Sequence, residues 1–302
     1  EPVTVCNACI SGVTAQMLAG RLIAAGLYDT AVVCGADCLT EFTLAGFLSF
    51  KSLDPSECRP FDIERLGLNL GEAAATVIYT AGAGKDAWRF VSGELNNDAY
   101  HLSAPSPVGD GTVRAINDTL EGFDKEDLAF VSAHGTATMF NDQMESVSIA
   151  SCGLSEVPVS ALKGYYGHTL GAAGVLETII SILSAEDGTV LPVRGFSETG
   201  VSGKMNVVTS PLPTGKAAFL KIISGFGGCN GALLFTKDAG EFGRIQSAQP
   251  RVVHTVHITP SSASVDGAEL PVAMRGKELL DEIYKSHITD YPKFHKMDML
   301  GK

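Results

Sequence analysis

The stretch EPVTVCNACISGVTAQMLAGRLIAAGLYDTAVVC, residues 1–34, decides the fold class. Val3 to Cys6 reads as a buried strand. From about Cys9 to Ala25, apolar residues recur at Val13, Met17, Leu18, Leu22 and Ile23, the spacing of one helix face, and Gly26 is a common helix stop. Thr30 to Cys34 then returns to strand formers. Strand, helix and strand at this spacing read as a βαβ unit, the repeating piece of layered α/β proteins. Because Val3 already reads as strand, the given chain is expected to begin inside a fold.

Working outward, a helix is expected over about Glu41 to Leu53, then the loop DPSECRPFDIERLG, and strands at Ala74 to Tyr79 and Arg89 to Leu95. Thr112 to Phe123 reads as a helix, Ala129 to Ser132 as a strand, and Asp142 to Ser151 and Leu170 to Ala185 as helices. Ala217 to Ile223 and Ala232 to Thr236 read as a closing hairpin around a Gly-rich turn. Beyond Lys237 the chain becomes more polar, so 238–302 is expected to be an appendage or the start of a further unit. With 302 residues and 45% apolar content the chain can bury a large core. A net charge of −12 argues against nucleic acid as a partner, since phosphate binding needs a basic face. No apolar run is long enough to insert in a membrane, and seven cysteines, an odd number without a secretory signal, suggest reduced thiols in the cytoplasm.

Four segments could carry chemistry. Cys9 sits where a tight turn enters a helix, a place where free N–H groups and the helix dipole favour thiolate. Cys6 reads as a small buried strand residue. A zinc site would need Cys34 and Cys38 as further ligands, and a redox pair would want the first cysteine, not the second, at the helix start. Both readings rank below a single nucleophile. In VSAHGTATMFNDQMES, His134 follows a strand end, where α/β sheets bind ligands; Thr136 and Thr138 could hold a polar substrate arm, and Glu145 could orient a buried cation. In VSALKGYYGHTLGAAG, Lys163 and His168 again follow a strand. In SGFGGCNG, Phe226 stands in a turn whose backbone can approach a ligand closely.

Together these segments resemble the elongating β-ketoacyl-acyl-carrier-protein synthases of the thiolase-like condensing enzymes. The carrying motifs are NAC ending at Cys9, HGTAT from His134, KGYYGHTLGAAG with Lys163 and His168, and GFGGCN from Gly225 to Asn230. RPFD…GLNLGEAA, from Arg59 to Ala74, is a further family-like segment. The match runs from residue 3 to about 236 in preserved order. Initiating enzymes differ by carrying Asn in place of His168, and thiolases by a second reactive cysteine; Cys229 reads as a substitute for Thr.

The resemblance implies an α/β fold of five layers, α-β-α-β-α, with the C-terminal half (81–237) complete and the N-terminal half (1–80) partial. It implies that Cys9 takes an acyl chain from an acyl carrier protein and that the amides of Cys9 and Phe226 form an oxyanion hole. His134 and His168 would assist decarboxylation of malonyl carrier protein, with no metal or other cofactor. Lys163 and Glu145 would be a supporting charged pair, Thr136 and Thr138 would hold the pantetheine, and Lys51 would help dock the carrier. A homodimer, or a heterodimer with a related synthase chain, is implied, with Val3 to Cys6 at its seam. The family region preceding the nucleophile strand has no counterpart here, so a non-catalytic or accessory subunit is the alternative. Ser224 replaces a common Phe, and Leu66 a common charged residue.

Overall fold

The computed structural model describes residues 2–82, 84 and 86–237, and three short strands beyond them. Residues 1–247 form one unit and 248–302 a second. In the first, the elements are α1 (Ser11–Ala24), β1 (Thr30–Asp37), α2 (Glu41–Ser49), β2 (Ala73–Thr80), β3 (Arg89–Asn97), α3 (Asp110–Thr119), β4 (Phe130–Ser132), α4 (Met139–Ser151), β5 (Pro158–Ser160), α5 (Lys163–Tyr166), α6 (Ala173–Glu186), β6 (Thr189–Val190), β7 (Asn206–Val207), β8 (Leu212–Pro213), β9 (Ala218–Gly225) and β10 (Cys229–Thr236). In the second, β11 (Val256–Ile258), β12 (Ala263–Val265) and β13 (Ala268–Leu270) form a small antiparallel sheet. Most of the expected appendage lies outside the described residues.

The main sheet has the order β3-β10-β9-β4-β5-β7, with β3, β10 and β9 antiparallel and β4, β5 and β7 parallel. Successive side chains of a strand face opposite ways, and both faces here are buried. On β9, Leu220 and Ile222 join a cluster with Ala115 and Ile116 of α3 and Ile149 of α4. Phe219 and Ile223 join the opposite cluster with Val13 and Met17 of α1 and Ala173 of α6. Phe219 also stacks between Phe130, at 5.3 Å, and Phe235, at 5.2 Å.

Beyond α1 and α6 lies the antiparallel pair β1–β2, joined to them through Ala19, Val33 and Val175. The described residues thus make four layers: α3/α4, the main sheet, α1/α6, and β1–β2. The outer face of β1–β2 is open, and its cross-strand pair Val32 and Ile78 is 64% and 63% exposed.

Two expectations fail at the N-terminus. Val3 to Cys6 is not a strand, because among the described residues no strand lies beside it to take its backbone hydrogen bonds. Cys6 is accordingly exposed rather than buried. The unit is therefore not βαβ: β1 pairs with β2 in antiparallel fashion.

Glycine brings the turn before α1 to the second half of the chain. A Cβ on Gly174 would lie 2.6 Å from Val13 N, and one on Gly12 would lie 2.9 Å from Gly171 O. Only without side chains at both positions can α1 and α6 approach so closely. Gln16 Nε2 donates across the crossing to Gly174 O at 3.0 Å.

Candidate active site

Cys9 precedes α1 in a tight turn. Ala8 before it has φ +46°, a backbone region that costs a residue with Cβ about 1–3 kcal/mol and that clusters at functional sites. The turn is held by Ser11: its hydroxyl donates to Ala8 O at 2.6 Å and accepts from Asn7 N–H at 2.8 Å. Cys9 itself is 7% exposed. Burial pushes its thiol up to about 11, against the opposing pull of Lys163 and of the backbone N–H groups of Phe226 and Cys9. The helix start therefore does not produce a resting thiolate, because loss of solvation outweighs the local dipoles.

His134 stands just beyond β4, and its loop is drawn tight by two buried carboxylates from α4. Glu145 accepts from His134 N–H at 2.5 Å and from Gly135 N–H at 2.8 Å. Asp142 accepts from the N–H groups of Thr136, Ala137 and Phe61 at 2.9, 3.1 and 2.7 Å. Burial raises both carboxyls, Glu145 to about 7.

His168 is pinned through its backbone. Its N–H donates to Asn69 O at 2.7 Å, and its carbonyl accepts from Gly71 N–H at 3.0 Å. A Cβ on Gly71 would lie 2.1 Å from Tyr166 O, so GLNLGEAA is a close-packed brace for this histidine. Leu170 N–H donates to His168 Nδ1 at 3.1 Å. A neutral ring receiving a proton at Nδ1 carries its own on Nε2. That Nε2 is buried without a partner, as is Nδ1 of His134. The two rings meet edge to face at 5.1 Å. Burial first, then repulsion from Lys163 and Lys221, holds both well below the usual histidine range, so both are neutral near pH 7.

Lys163 is buried, and its Nζ donates to His134 O at 2.7 Å and to Glu177 Oε1 at 2.6 Å. The expected pairing of Lys163 with Glu145 is thus corrected. Glu177 on α6 is the counter-ion, and it also accepts from Lys221 Nζ on β9 at 2.5 Å. Glu145 instead spends both oxygens on the backbone of the histidine loop. Glu177, Lys221 and Asp142 were not singled out from the sequence. Glu177 and Lys221 do bear a signal: charged residues inside otherwise apolar segments, LETIISIL and AFLKIIS, that must be buried with partners.

One cavity of about 350 Å³ is lined by Cys9, His134, His168, Thr136 and Phe226. Thr138 and Lys51 also line it, whereas Glu145 and Lys163 bond the backbone of the His134 loop and Glu177 holds Lys163. Thr136 and Thr138 share a hydroxyl hydrogen bond of 2.8 Å. Ser224, at the expected Phe position, donates to Asn230 Oδ1 at 3.0 Å beneath the Phe226 turn. Among the described residues no group of three or more His, Cys, Asp or Glu could hold a metal ion. None of their helices is long and apolar enough to cross a membrane.

Two models of a single family match this framework in order: the β-ketoacyl synthase N-terminal domain over residues 2–81, and its C-terminal domain over residues 90–197. The chain belongs to the β-ketoacyl synthase family. It is 30% identical to a putative mitochondrial 3-oxoacyl-[acyl-carrier-protein] synthase of Schizosaccharomyces pombe, covering 78% of this chain and 61% of that protein. It is 32% identical to 3-oxoacyl-[acyl-carrier-protein] synthase 2 of Rhizobium meliloti, with the same coverages. Among solved structures, a ketosynthase in complex with its chain length factor from Xenorhabdus doucetiae is 33% identical, with TM-score 0.71, covering 76% of this chain and 58% of that one. A β-ketoacyl synthase from Burkholderia phymatum is 29% identical, with TM-score 0.73, covering 78% and 61%. The fold is accordingly the thiolase-like one of the ketosynthases. The chain spans about 60% of the length of the curated relatives it matches.

Proposed function

We propose that this β-ketoacyl synthase chain carries out decarboxylative Claisen condensation, with Cys9 as acyl acceptor and malonyl-acyl carrier protein as extender. The observation that carries the proposal is the convergence on one cavity of a buried thiol, the N–H groups of Phe226 and Cys9 directed at it, and His168 with a free Nε2–H.

In the first half-reaction Cys9 Sγ loses its proton and attacks the thioester carbonyl of an acyl carrier. The two amides receive the developing oxyanion, and the carrier thiol departs with a proton. With its pKa near 11, the thiol needs a base. His168 is unsuited to that role, since Leu170 N–H occupies its Nδ1 and its Nε2 already carries a proton. No hydrogen bond at Nδ1 fixes the tautomer of His134, so that ring can accept a proton as well as donate one.

In the second half-reaction the malonyl C–C bond breaks to release CO2. His168 Nε2–H and His134 stabilise the enolate oxygen, and the carbanion forms a new bond to the Cys9 acyl carbon as the C–S bond breaks. Neutral imidazoles can donate to that oxygen without competing charge, which is what burial secures here.

Thr136 and Thr138 would hold the pantetheine amides, Lys51 would meet the acidic carrier, and fatty acid, polyketide or polyene synthesis is the pathway class. No cofactor beyond carrier-bound phosphopantetheine is required, and the cytoplasm is the proposed compartment. The division into an N-terminal piece at 1–80 and a C-terminal half at 81–237 belongs to the same proposal. The open β1–β2 face favours a second reading alongside it, a chain that pairs with another synthase chain as homodimer, heterodimer or accessory subunit. The test is acyl transfer from an acyl carrier protein, with the acylated cysteine located by peptide mass mapping. Cys9→Ala is expected to abolish transfer; acylation located at Cys6 instead, or transfer surviving the change, refutes the site.

A further inference from the structure

The turn bearing the oxyanion donor Phe226 is not held by its own backbone at the ring. Gly227 and Gly228 have φ +87° and +75°, and the turn's hydrogen bonds fall on these two: Gly227 N–H to Leu102 O, Asp98 N–H to Gly228 O, and Asn97 Nδ2 to Gly227 O, at 2.6, 2.8 and 2.6 Å. The Phe226 ring instead rests against α2. Phe47 stacks on it with centroids 5.5 Å apart, and Phe50 meets it edge-on at 5.1 Å and 70°. All three rings line the cavity that holds Cys9. No residue of α2 is buried, and Phe50 at its C-terminal end is 45% exposed. Lys51, immediately after it, has φ +53°, a conformation that a residue with Cβ keeps only when its surroundings enforce it.

We propose that Phe50 is a positioning residue: with Phe47 it clamps the Phe226 ring and so sets the backbone N–H of Phe226 against the Cys9 thiol. The step from ring to amide is short, because the N–H of Phe226 lies in the peptide plane set by ψ of Gly225 and φ of Phe226, one bond from the Cα that carries the ring. Without the edge-on contact the ring gains other positions, and the peptide plane that carries the amide is freer to turn from the oxyanion. An aromatic pair of this geometry contributes about 0.5–1.5 kcal/mol beyond its buried area, equivalent to a roughly two- to tenfold shift in the population of the clamped turn. Phe50 touches neither the thiol nor the reacting carbonyl and acts only through Phe226. The inference rests on the reading of Cys9 as an acyl acceptor.

The test compares the full chain with Phe50→Ala and Phe50→Tyr in three assays. The first is transfer of hexanoyl from hexanoyl-pantetheine to Cys9, followed by intact mass. The second is alkylation of Cys9 by iodoacetamide, which senses the Phe226 N–H through the thiolate alone and needs no oxyanion donor. The third is amide hydrogen exchange across Gly225–Gly228. Phe50→Ala is expected to slow hexanoyl transfer about two- to tenfold, slow alkylation by a smaller factor because only the thiolate stabilisation is lost there, and raise exchange at the turn by a factor like that for transfer. Phe50→Tyr, which keeps the ring and can place its hydroxyl in water, is expected to restore all three. Unchanged transfer, an equal fall in transfer and alkylation, or unchanged exchange overturns the clamp. A wild-type chain that alkylates but accepts no hexanoyl refutes the acyl-acceptor reading, and hydrogen exchange then decides the clamp by itself.

Discussion

Glu177→Gln removes the carboxylate that accepts hydrogen bonds from two buried ammonium groups. Lys163 and Lys221 lie 2.6 and 2.5 Å from its two oxygens, and all three side chains are at most 1% exposed. Two unit charges about 4 Å apart attract by about 4 kcal/mol at an effective dielectric of 20. Desolvation of the ions offsets much of that in the intact cluster, so the cluster as a whole adds little stability. Removal of one partner is different, because the remaining charges stay buried without compensation. The expected loss is roughly 3–5 kcal/mol, a large part of the 5–15 kcal/mol typical of a folded domain.

The measurement is urea unfolding followed by circular dichroism at pH 7.5, comparing Glu177→Gln, Lys221→Met and the double variant. The double variant is expected to be more stable than Glu177→Gln alone, since one of the two uncompensated charges is gone; such neighbours are not additive. The acid limb carries the same signature. Glu177 has a folded pKa held below its ordinary value, by the two lysines against burial. Its contribution is present above the unfolded carboxylate range near pH 4.5 and is lost as pH falls through the folded value. A Glu177→Gln chain within about 1 kcal/mol of wild type would refute the reasoning, for the lysines would then have found water or other acceptors.

Cys9 alkylation by iodoacetamide is expected to rise about tenfold per pH unit from pH 7 to about 10, since the thiolate is the reactive form and its pKa is near 11; a plateau below pH 9 would contradict the burial argument. Both histidines have folded pKa values below their unfolded 6.5, so the unfolded chain binds more protons below that pH and stability falls as pH drops from about 6.5. The contribution is up to about 1.4 kcal/mol per pH unit for each ring, and the pH slope of the urea midpoint should shrink in His134→Asn and in His168→Asn. Gly174→Ala places a Cβ 2.6 Å from Val13 N, which is backbone and cannot step aside. A loss of about 1–3 kcal/mol is expected by thermal unfolding, and an unaltered midpoint would show that α1 and α6 part without cost.

Sequence reading singled out Cys9, His134, His168 and the closing hairpin because each stands in or beside a turn with a local signature, and the structure places the three side chains on one cavity. It located β9 within two residues at each end and β10 within three, since apolar runs flanking a Gly-rich turn admit little else. It misread Val3 to Cys6, because a strand needs a neighbour and periodicity reports only the face a segment could bury, not what lies beside it. It assigned Lys163 the wrong carboxylate for a related reason. Glu145 and Glu177 both sit on helices near the site, and only the packing of α6 against β9 brings Glu177 between two lysines. The thiolate expected at Cys9 followed from the helix start, a local feature, whereas the burial that overrides it comes from the whole cavity wall.

A buried cation links these observations. The Lys163 ammonium pulls the thiol of Cys9 down and helps keep His134 and His168 neutral, and its Nζ also ties down the His134 carbonyl. One buried ammonium therefore makes the proton easier to remove from the Cys9 thiol and the rings harder to charge, which favours the neutral donors of the second half-reaction and opposes His134 as proton acceptor in the first. Such a charge can be kept inside only with a fixed counter-ion, and Glu177 supplies it from α6, the helix whose Gly174 lets α1 carry Cys9 into the same cavity. The close α1–α6 crossing and the charge cluster are therefore parts of one arrangement. On this reading Lys163→Met should raise the thiol pKa in an alkylation profile even where the fold survives, and an unmoved profile would leave Lys163 with a purely structural role.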